Sequence, residues 1–277
     1  MVGIDVGGNI RLEYRDGAPI ILGRYRVLSV LGEGRFGKVY KVEDLKSGLI
    51  LALKEAKDAA FARNLLNEAQ NVLLLDHPHL VKLYHYHISR DRKRVYLLYE
   101  FCDGGDLKSY VQSKGGKLSL EDALKVLKQV VSGLAYLHSL GYIHMDIKPE
   151  NVLRKFQGTA EIWKLGDFGL LKPRGYYGIL DVKGTVGYIA PEVFNGEIHR
   201  SSDIFSLGCL FYYMLVGHHP FADKDKTREL IKNKKGVVQP PPQLKGKLKA
   251  IFEKMTRLNP MARYRTAGEL LKELNNL

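Results

Sequence analysis

The sequence is poor in cysteine, in long apolar runs and in acidic residues, and each shortage removes a class of protein. Cys102 and Cys209 are the only thiols in 277 residues. They offer neither a disulfide framework nor a metal-ligand spacing, so a reducing compartment is expected. The longest apolar stretch, Ile204 to Val216, is short for a membrane span and contains Ser206 and Gly208. The first residues lack the charged start, apolar run and small-residue cleavage site of a secretory signal. An intracellular protein, cytoplasmic or nuclear and with no membrane partner, is expected. Aspartate and glutamate number 30 against 43 lysines and arginines, a net charge of +13. Much of the excess lies late, at Lys224, Lys226, Arg228, Lys232, Lys234, Lys235, Lys245, Lys247 and Lys249. Such a stretch suits an anionic partner or a solvated face. With no aromatic interleaving and no recognisable motif, no specific nucleic-acid partner is expected.

What is present is a chain with 45% hydrophobic residues, enough for a sizeable core in one large domain or in two lobes around a shared cleft. Residues 1–23 read as an extension to a main domain at 24–277. Gly3 to Asn9 superficially resembles the first phosphate loop of sugar kinases of the actin-like ATPase fold, but no further motif of that family follows. A strand and turn leading to Ile10-Arg11-Leu12-Glu13-Tyr14 and Asp16-Gly17 is the preferred reading.

From Arg24 the pattern is β-like and runs into Gly32-Glu33-Gly34-Arg35-Phe36-Gly37. A lone G-x-G-x-x-G is weak, since dinucleotide-binding folds share it, but there the glycines open a helix. Here Val39-Tyr40-Lys41-Val42 alternates like a second strand, giving a strand-loop-strand flap whose backbone can cover phosphates. Leu49 to Lys54 reads as a third strand ending in a lysine. Asp58 to Leu75 carries apolar residues at helical spacing and includes Glu68. Leu80 to Leu83 and Val95 to Tyr99 read as two more strands, followed by an extended connector from Glu100 to Leu107.

Beyond the connector the period changes to helical. Ser119 is a plausible N-cap for a helix ending at Ser139, with Gly141 just past it. That helix leads to His144-Met145-Asp146-Ile147-Lys148-Pro149-Glu150-Asn151-Val152-Leu153. In this loop Asp146 can accept a hydroxyl proton, Lys148 can face a phosphate, and Asn151 can offer a carbonyl oxygen to a divalent cation. An ordinary polar turn is the bland alternative, since Pro and Asn are turn formers. Asp167-Phe168-Gly169 and Ala190-Pro191-Glu192 follow in order, then the apolar run at 204–216, which should be buried.

The ordered set closely resembles the eukaryotic-type protein kinases from about Arg24 to Leu277. The resemblance implies an α+β, bilobal fold: a five-stranded antiparallel N-lobe sheet with helix C at about 24–100, a hinge at about 100–105, and a mainly helical C-lobe at about 106–277. It implies ATP and Mg²⁺ in the cleft and a protein substrate presenting Ser or Thr, with a monomer expected. Lys54, paired with Glu68, would contact the α- and β-phosphates; Asp146 would be the catalytic base with Lys148 beside it; Asn151 and Asp167 would hold the metal. Gly32, Glu33, Gly34, Arg35, Phe36 and Gly37 would cover the phosphates. Val39, Ala52 and Leu153 would sandwich adenine, with Tyr99 as a bulky gatekeeper and Glu100, Cys102 and Asp106 lining the hinge side. Asp203 would hold the catalytic-loop backbone, and Arg263 would pair with Glu192.

Lys148 and Thr185 resemble the serine/threonine branch, and Leu170 leans towards serine. His-Met-Asp-Ile-Lys-Pro and Asp-Ile-Phe-Ser-Leu-Gly also resemble the Wee/Myt inhibitory cell-cycle kinases. The segment before Ala190 departs from that group's pattern. The family's usual Arg before the catalytic Asp is Met145 here, which implies activity without obligatory activation-segment phosphorylation. A nucleotide-binding pseudokinase scaffold is the rival class, and the complete catalytic set argues against it.

Overall fold

Alternating side chains in residues 18–56 and 83–100 build one antiparallel sheet, and helical periodicity beyond residue 106 builds a separate helical body. The computed structural model describes residues 13–15, 17–33, 37–56, 58–89, 94–173 and 184–277. The phosphate-loop likeness at Gly3 to Asn9 and the flap tip Gly34, Arg35 and Phe36 lie outside them. Two compact units emerge, Met1–Asp76 with Val81–Phe101, and His77–Leu80 with Cys102–Leu277.

The first unit contains strands β1 (Glu13–Arg15), β2 (Ala18–Ile21), β3 (Tyr25–Glu33), β4 (Gly37–Asp44) and β5 (Ile50–Ala56). Helix α1 (Ala59–Val72) and strands β6 (Leu83–Ile88) and β7 (Val95–Glu100) complete it. The sheet has seven strands in the order β1-β2-β3-β4-β5-β7-β6, not the five expected. The two additional strands come from residues assigned to an extension. They join because β2 continues the apolar pattern: Ile21 packs with Tyr25, Val42, Leu51, Leu53, Tyr96 and Leu98 in one cluster. A second difference concerns Leu80, expected in a strand; β6 begins at Leu83, and Leu80 instead bridges to Leu165 in the second unit.

The sheet curls on itself. Tyr25 on β3 places its hydroxyl 3.1 Å from Nε2 of His87 on β6, although β4, β5 and β7 stand between them in strand order. Arg24 clamps the end of β4 with two hydrogen bonds to Asp44, of 2.6 and 2.7 Å. The guanidinium holds that carboxyl well below the usual carboxylate range. Helix α1 buries Ala62, Leu65, Ala69 and Val72, spaced three and four apart, and packs on β5 and β7.

The second unit contains helices α2 (Leu107–Ser113), α3 (Leu120–Ser139), α4 (Arg200–Val216), α5 (Lys226–Lys235), α6 (Gly246–Met255) and α7 (Ala267–Asn275). Between α3 and α4 lie β8 (Tyr142–Ile143), the β9–β10 hairpin (Val152–Gln157 and Ala160–Leu165) and β11 (Lys172–Pro173), which pairs with β8. Ser119 caps α3 by accepting from the Asp122 amide at 3.1 Å, and the apolar stripe through Ala123, Leu127, Val130, Leu134 and Leu137 is fully buried. Helix α4 is buried almost all round, with Ile204, Phe205, Leu207, Cys209, Leu210 and Met214 inaccessible, as its continuous apolar text predicts. No helix among the described residues is long and apolar enough to cross a membrane.

Burial, first among the causes, holds His77, His79, His87 and His219 below the ordinary imidazole range. Since each folded pKa lies under an unfolded value near 6.5, the unfolded chain binds more protons in acid. The stability these groups contribute is present above about pH 6.5 and is lost as pH falls through their folded values. Glu55, whose carboxyl is raised by burial, acts in the opposite sense. The melting temperature should therefore fall between about pH 7.5 and about pH 5.5, and His79→Gln with His219→Gln should flatten that slope. A melting temperature that rises over this interval would contradict the account.

Candidate active site

In the first unit, strand register places the predicted residues on one face of the sheet. Val39 is paired with Lys54, Lys41 with Ala52, and Ala52 with Tyr99. Because successive side chains alternate, Val39, Ala52, Lys54 and Tyr99 share this face, while Val42, Leu51, Leu53 and Leu98 fill the core on the other. Lys54 Nζ lies 2.8 and 3.1 Å from the two carboxylate oxygens of Glu68 on α1. Glu68 is buried, and Tyr99 donates its hydroxyl to Oε1 at 2.6 Å. A buried carboxylate left without such partners would be costly, so these donors fix its position. Tyr99 was expected as a steric gatekeeper, and its bond to Glu68 was not anticipated. It links residues 31 apart, and neither motif spacing nor periodicity signals it.

Gly32 and Glu33 end β3 opposite Val39 and Lys38, beside a register shift between Val30 and Gly32 that bends the strand. Gly37 opens β4 where a Cβ would sit 1.9 Å from the Glu55 carbonyl oxygen, so only glycine permits this close approach. Glu100 spends a carboxylate oxygen on the Lys82 amide at 2.8 Å, a structural contact at the end of β7.

In the second unit the connector is zipped to β9. The Gly104 amide donates to the Arg154 carbonyl, the Arg154 amide to the Gly105 carbonyl, both at 2.8 Å, and Asp106 bridges to Leu153. Cys102 is buried, and the Asp106 carboxylate caps α2 by accepting from the Ser109 amide at 2.7 Å.

The catalytic-loop candidates converge around Asp146. Thr185 donates to Asp146 Oδ1 at 3.1 Å and accepts from Lys148 Nζ at 2.8 Å. Lys148 Nζ also stands 3.5 Å from Asp146 Oδ2. Asn151 donates through Nδ2 to the Asp146 carbonyl (2.7 Å) and to its Oδ2 (3.1 Å). Since Nδ2 is spent inward, the Asn151 side-chain oxygen is the atom available to a cation. The β9–β10 hairpin pairs Val152 with Leu165, so Asn151 and Gly166 are the next neighbours. The Gly166 amide donates to the Asn151 carbonyl at 2.8 Å. Asp167 follows at φ 52°, held in that left-handed conformation as the chain leaves the hairpin. An amide oxygen and a carboxylate are hard donors that fit Mg²⁺, which takes few protein ligands beside substrate phosphates.

The loop rests on buried polar groups. Asp203 at the start of α4 accepts from the His144 amide (2.8 Å) and the Met145 amide (3.0 Å), and Met145 itself adopts φ 72°. His138 Nδ1 accepts from the Ala267 amide at 3.0 Å, so its Nε2 carries the proton donated to Asp203 at 2.9 Å. His144 accepts from the Asp146 amide through Nδ1 and donates from Nε2 to the Gly166 carbonyl at 3.0 Å. Burial raises Glu150, but the 2.8 Å bond to Lys108, a backbone hydrogen bond and the charges of Lys108 and Lys148 together hold it below the usual range. Arg263 makes two hydrogen bonds to Glu192, of 2.7 and 2.8 Å, as expected.

A carboxylate in contact with a hydroxyl, beside an amide oxygen and a carboxylate that could hold a cation, is an arrangement suited to phosphoryl transfer. The chain belongs to the protein kinase family: the protein kinase domain model matches residues 25–274. It is similar to CBL-interacting protein kinase 1 of Oryza sativa subsp. japonica, 33% identical over 256 residues, 90% of this chain and 55% of the relative. It is 31% identical over 250 residues to serine/threonine-protein kinase PLK4 of Danio rerio, covering 86% of this chain and 26% of that protein. Serine/threonine-protein kinase PrkC of Bacillus subtilis (strain 168) is 30% identical over 260 residues, 90% of this chain and 40% of the relative. The chain spans about half the length of the first curated relatives it matches, 55% and 57%. Two of these three relatives are named serine/threonine-protein kinases, and none of the three lends support to the Wee/Myt likeness. Family membership implies use of ATP with a divalent metal and a protein substrate.

Removing one partner of the buried Arg263–Glu192 pair leaves a charge unpaired in the core. Arg263→Leu should lower the unfolding free energy by about 3–5 kcal/mol, measured by urea denaturation. A loss under about 1 kcal/mol, the size seen for exposed pairs, would show that the pair is not the anchor described.

Proposed function

We propose that this chain transfers the γ-phosphoryl group of ATP to serine or threonine hydroxyls of protein substrates. The observation that carries this reading is the Asp146–Thr185–Lys148 triad of contacts, in which a hydroxyl already sits against the Asp146 carboxylate with an ammonium on its other side. A substrate hydroxyl would be oriented by the same carboxylate and would give up its proton there. Lys148 would offset charge building on the transferred group, and Lys54, oriented by Glu68 and Tyr99, would hold the α- and β-phosphates. Asn151 and Asp167 would hold Mg²⁺, which supplies charge neutralisation at phosphate oxygens. Gly32, Glu33 and Gly37, with the flap tip between them, would cover the phosphates. Val39, Ala52, Leu153 and the main chain near Glu100 and Cys102 would contact adenine, and Asp106 would line the same side.

Asp146→Asn should lower transfer to a serine peptide by about 10²-fold or more, and Lys54→Met should reduce it as severely, each with an unchanged circular dichroism spectrum. Normal turnover in either variant would overturn the assigned roles. ATP binding with no transfer to any protein or peptide would favour the scaffold reading. Mainly phosphotyrosine on exogenous substrate would reverse the acceptor assignment and favour the Wee/Myt alternative.

Regulation belongs to the same proposal. Met145 carries no hydrogen-bond donor in its side chain, so it cannot receive an activation-segment phosphate as an arginine does. Its backbone is instead held by Asp203 at 3.0 Å. Phosphatase-treated enzyme, with dephosphorylation checked by mass spectrometry, should keep most of its kcat. A fall of about tenfold, equivalent to roughly 1.4 kcal/mol of barrier, would show that phosphate ordering operates without the arginine.

A further inference from the structure

The segment from Thr185 to Ile189 has no regular secondary structure beyond a turn, yet its backbone is tied down by side chains from two helices. Asn233 on α5 is fully buried. Its Oδ1 accepts from the Gly187 amide at 2.9 Å, and its Nδ2 donates to the Ile189 carbonyl at 2.8 Å. One carboxamide thus brackets Tyr188 from both sides. The Tyr188 carbonyl accepts from Ser206 Oγ on α4 at 2.6 Å, and the Tyr188 amide closes the turn onto the Thr185 carbonyl at 3.1 Å.

The remaining space is shaped to the same end. Gly187 adopts φ 104°, and a Cβ there would lie 2.6 Å from the His219 ring. That ring is fixed by Glu229, also on α5, at 2.7 Å, and Glu229 is held in turn by Lys226. Helix α5 therefore grips residues 187–189 directly through Asn233 and indirectly through His219. The same short segment begins at Thr185, whose hydroxyl contacts Asp146 and Lys148, and passes through the partly exposed Val186.

A fully buried asparagine must have both ends engaged, and an apolar residue in its place would leave the Gly187 amide and the Ile189 carbonyl unpaired. Its contribution lies in the path it imposes. We propose that Asn233 is a positioning residue for the protein substrate. By fixing residues 187–189 it sets Thr185 against Asp146, the carboxylate that would orient the acceptor hydroxyl. This inference rests on the kinase reading above. The residue touches neither the hydroxyl nor the phosphates, so its effect should appear in peptide use and not in nucleotide use.

The experiment compares wild type, Asn233→Leu and Asn233→Asp with a serine peptide and Mg²⁺–ATP. For Asn233→Leu, kcat/KM for peptide should fall about tenfold, while KM for ATP stays within about twofold. Asn233→Asp keeps the acceptor for Gly187 and loses the donor to Ile189. Its carboxyl regains that donor on protonation, so its relative peptide activity should recover as pH is lowered. If Asn233→Leu does not fold, the pH profile of Asn233→Asp against wild type decides the matter. Unchanged peptide kinetics in a folded variant, equal losses for ATP and peptide, or an Asn233→Asp profile parallel to wild type would overturn the inference and leave the kinase reading standing. An inert wild type would overturn both.

Discussion

The second unit is organised around a single buried carboxylate. Asp203 is 1% exposed and accepts from the His144 amide, the Met145 amide and His138 Nε2. Burying an ionised group without such donors would cost several kcal/mol, so the three bonds must form together. Their formation commits α3, α4 and the loop after β8 to one arrangement, and His138 extends it to the start of α7 through Ala267. It also stabilises the left-handed Met145, a conformation that a side chain other than glycine adopts only when its surroundings over-determine it. Asp146 comes next in the chain.

The polar groups of the two units divide the chemistry. In the first, Lys54 and Tyr99 on one sheet face both bond Glu68 on α1, and a buried pair of this kind contributes orientation more than net stability. In the second, Asp146, Lys148, Asn151 and Thr185 form a connected network, which makes each member's position depend on the others. Such networks hold donors and acceptors in place before substrate arrives, which is the condition for electrostatic catalysis without reorganisation.

The basic excess acquires a partly internal explanation. Lys226 pairs with Glu229, Lys232 with Asp223, and Arg228 with Asp225, so all three acids between residues 223 and 235 are engaged locally. Exposed pairs of this kind contribute little stability. Lys226 is the exception in consequence, because its partner Glu229 is buried and fixes His219 beneath Gly187. Part of the lysine-rich text thus serves the attachment of α5 to residues 187–189.

Features set by near neighbours were readable from the amino-acid text. The Ser119 cap, the stripe of α3, the burial of α4 and the order of Lys54, Asp146, Asn151 and Asp167 depend on periodicity, turn chemistry and spacing within a few residues. The seventh and sixth strands added by β1 and β2, the later start of β6, the Tyr99–Glu68 bond and the Asn233 bridge were decided only in three dimensions. Ile20 and Ile21 read alone as a short apolar pair, and only the curled sheet gives them a core to enter. Tyr99 lies 31 residues from Glu68, and Asn233 lies 46 and 44 residues from Gly187 and Ile189. Contacts at such separations arise from strand register and helix packing, which many alternative spacings satisfy equally well, so no local pattern records them.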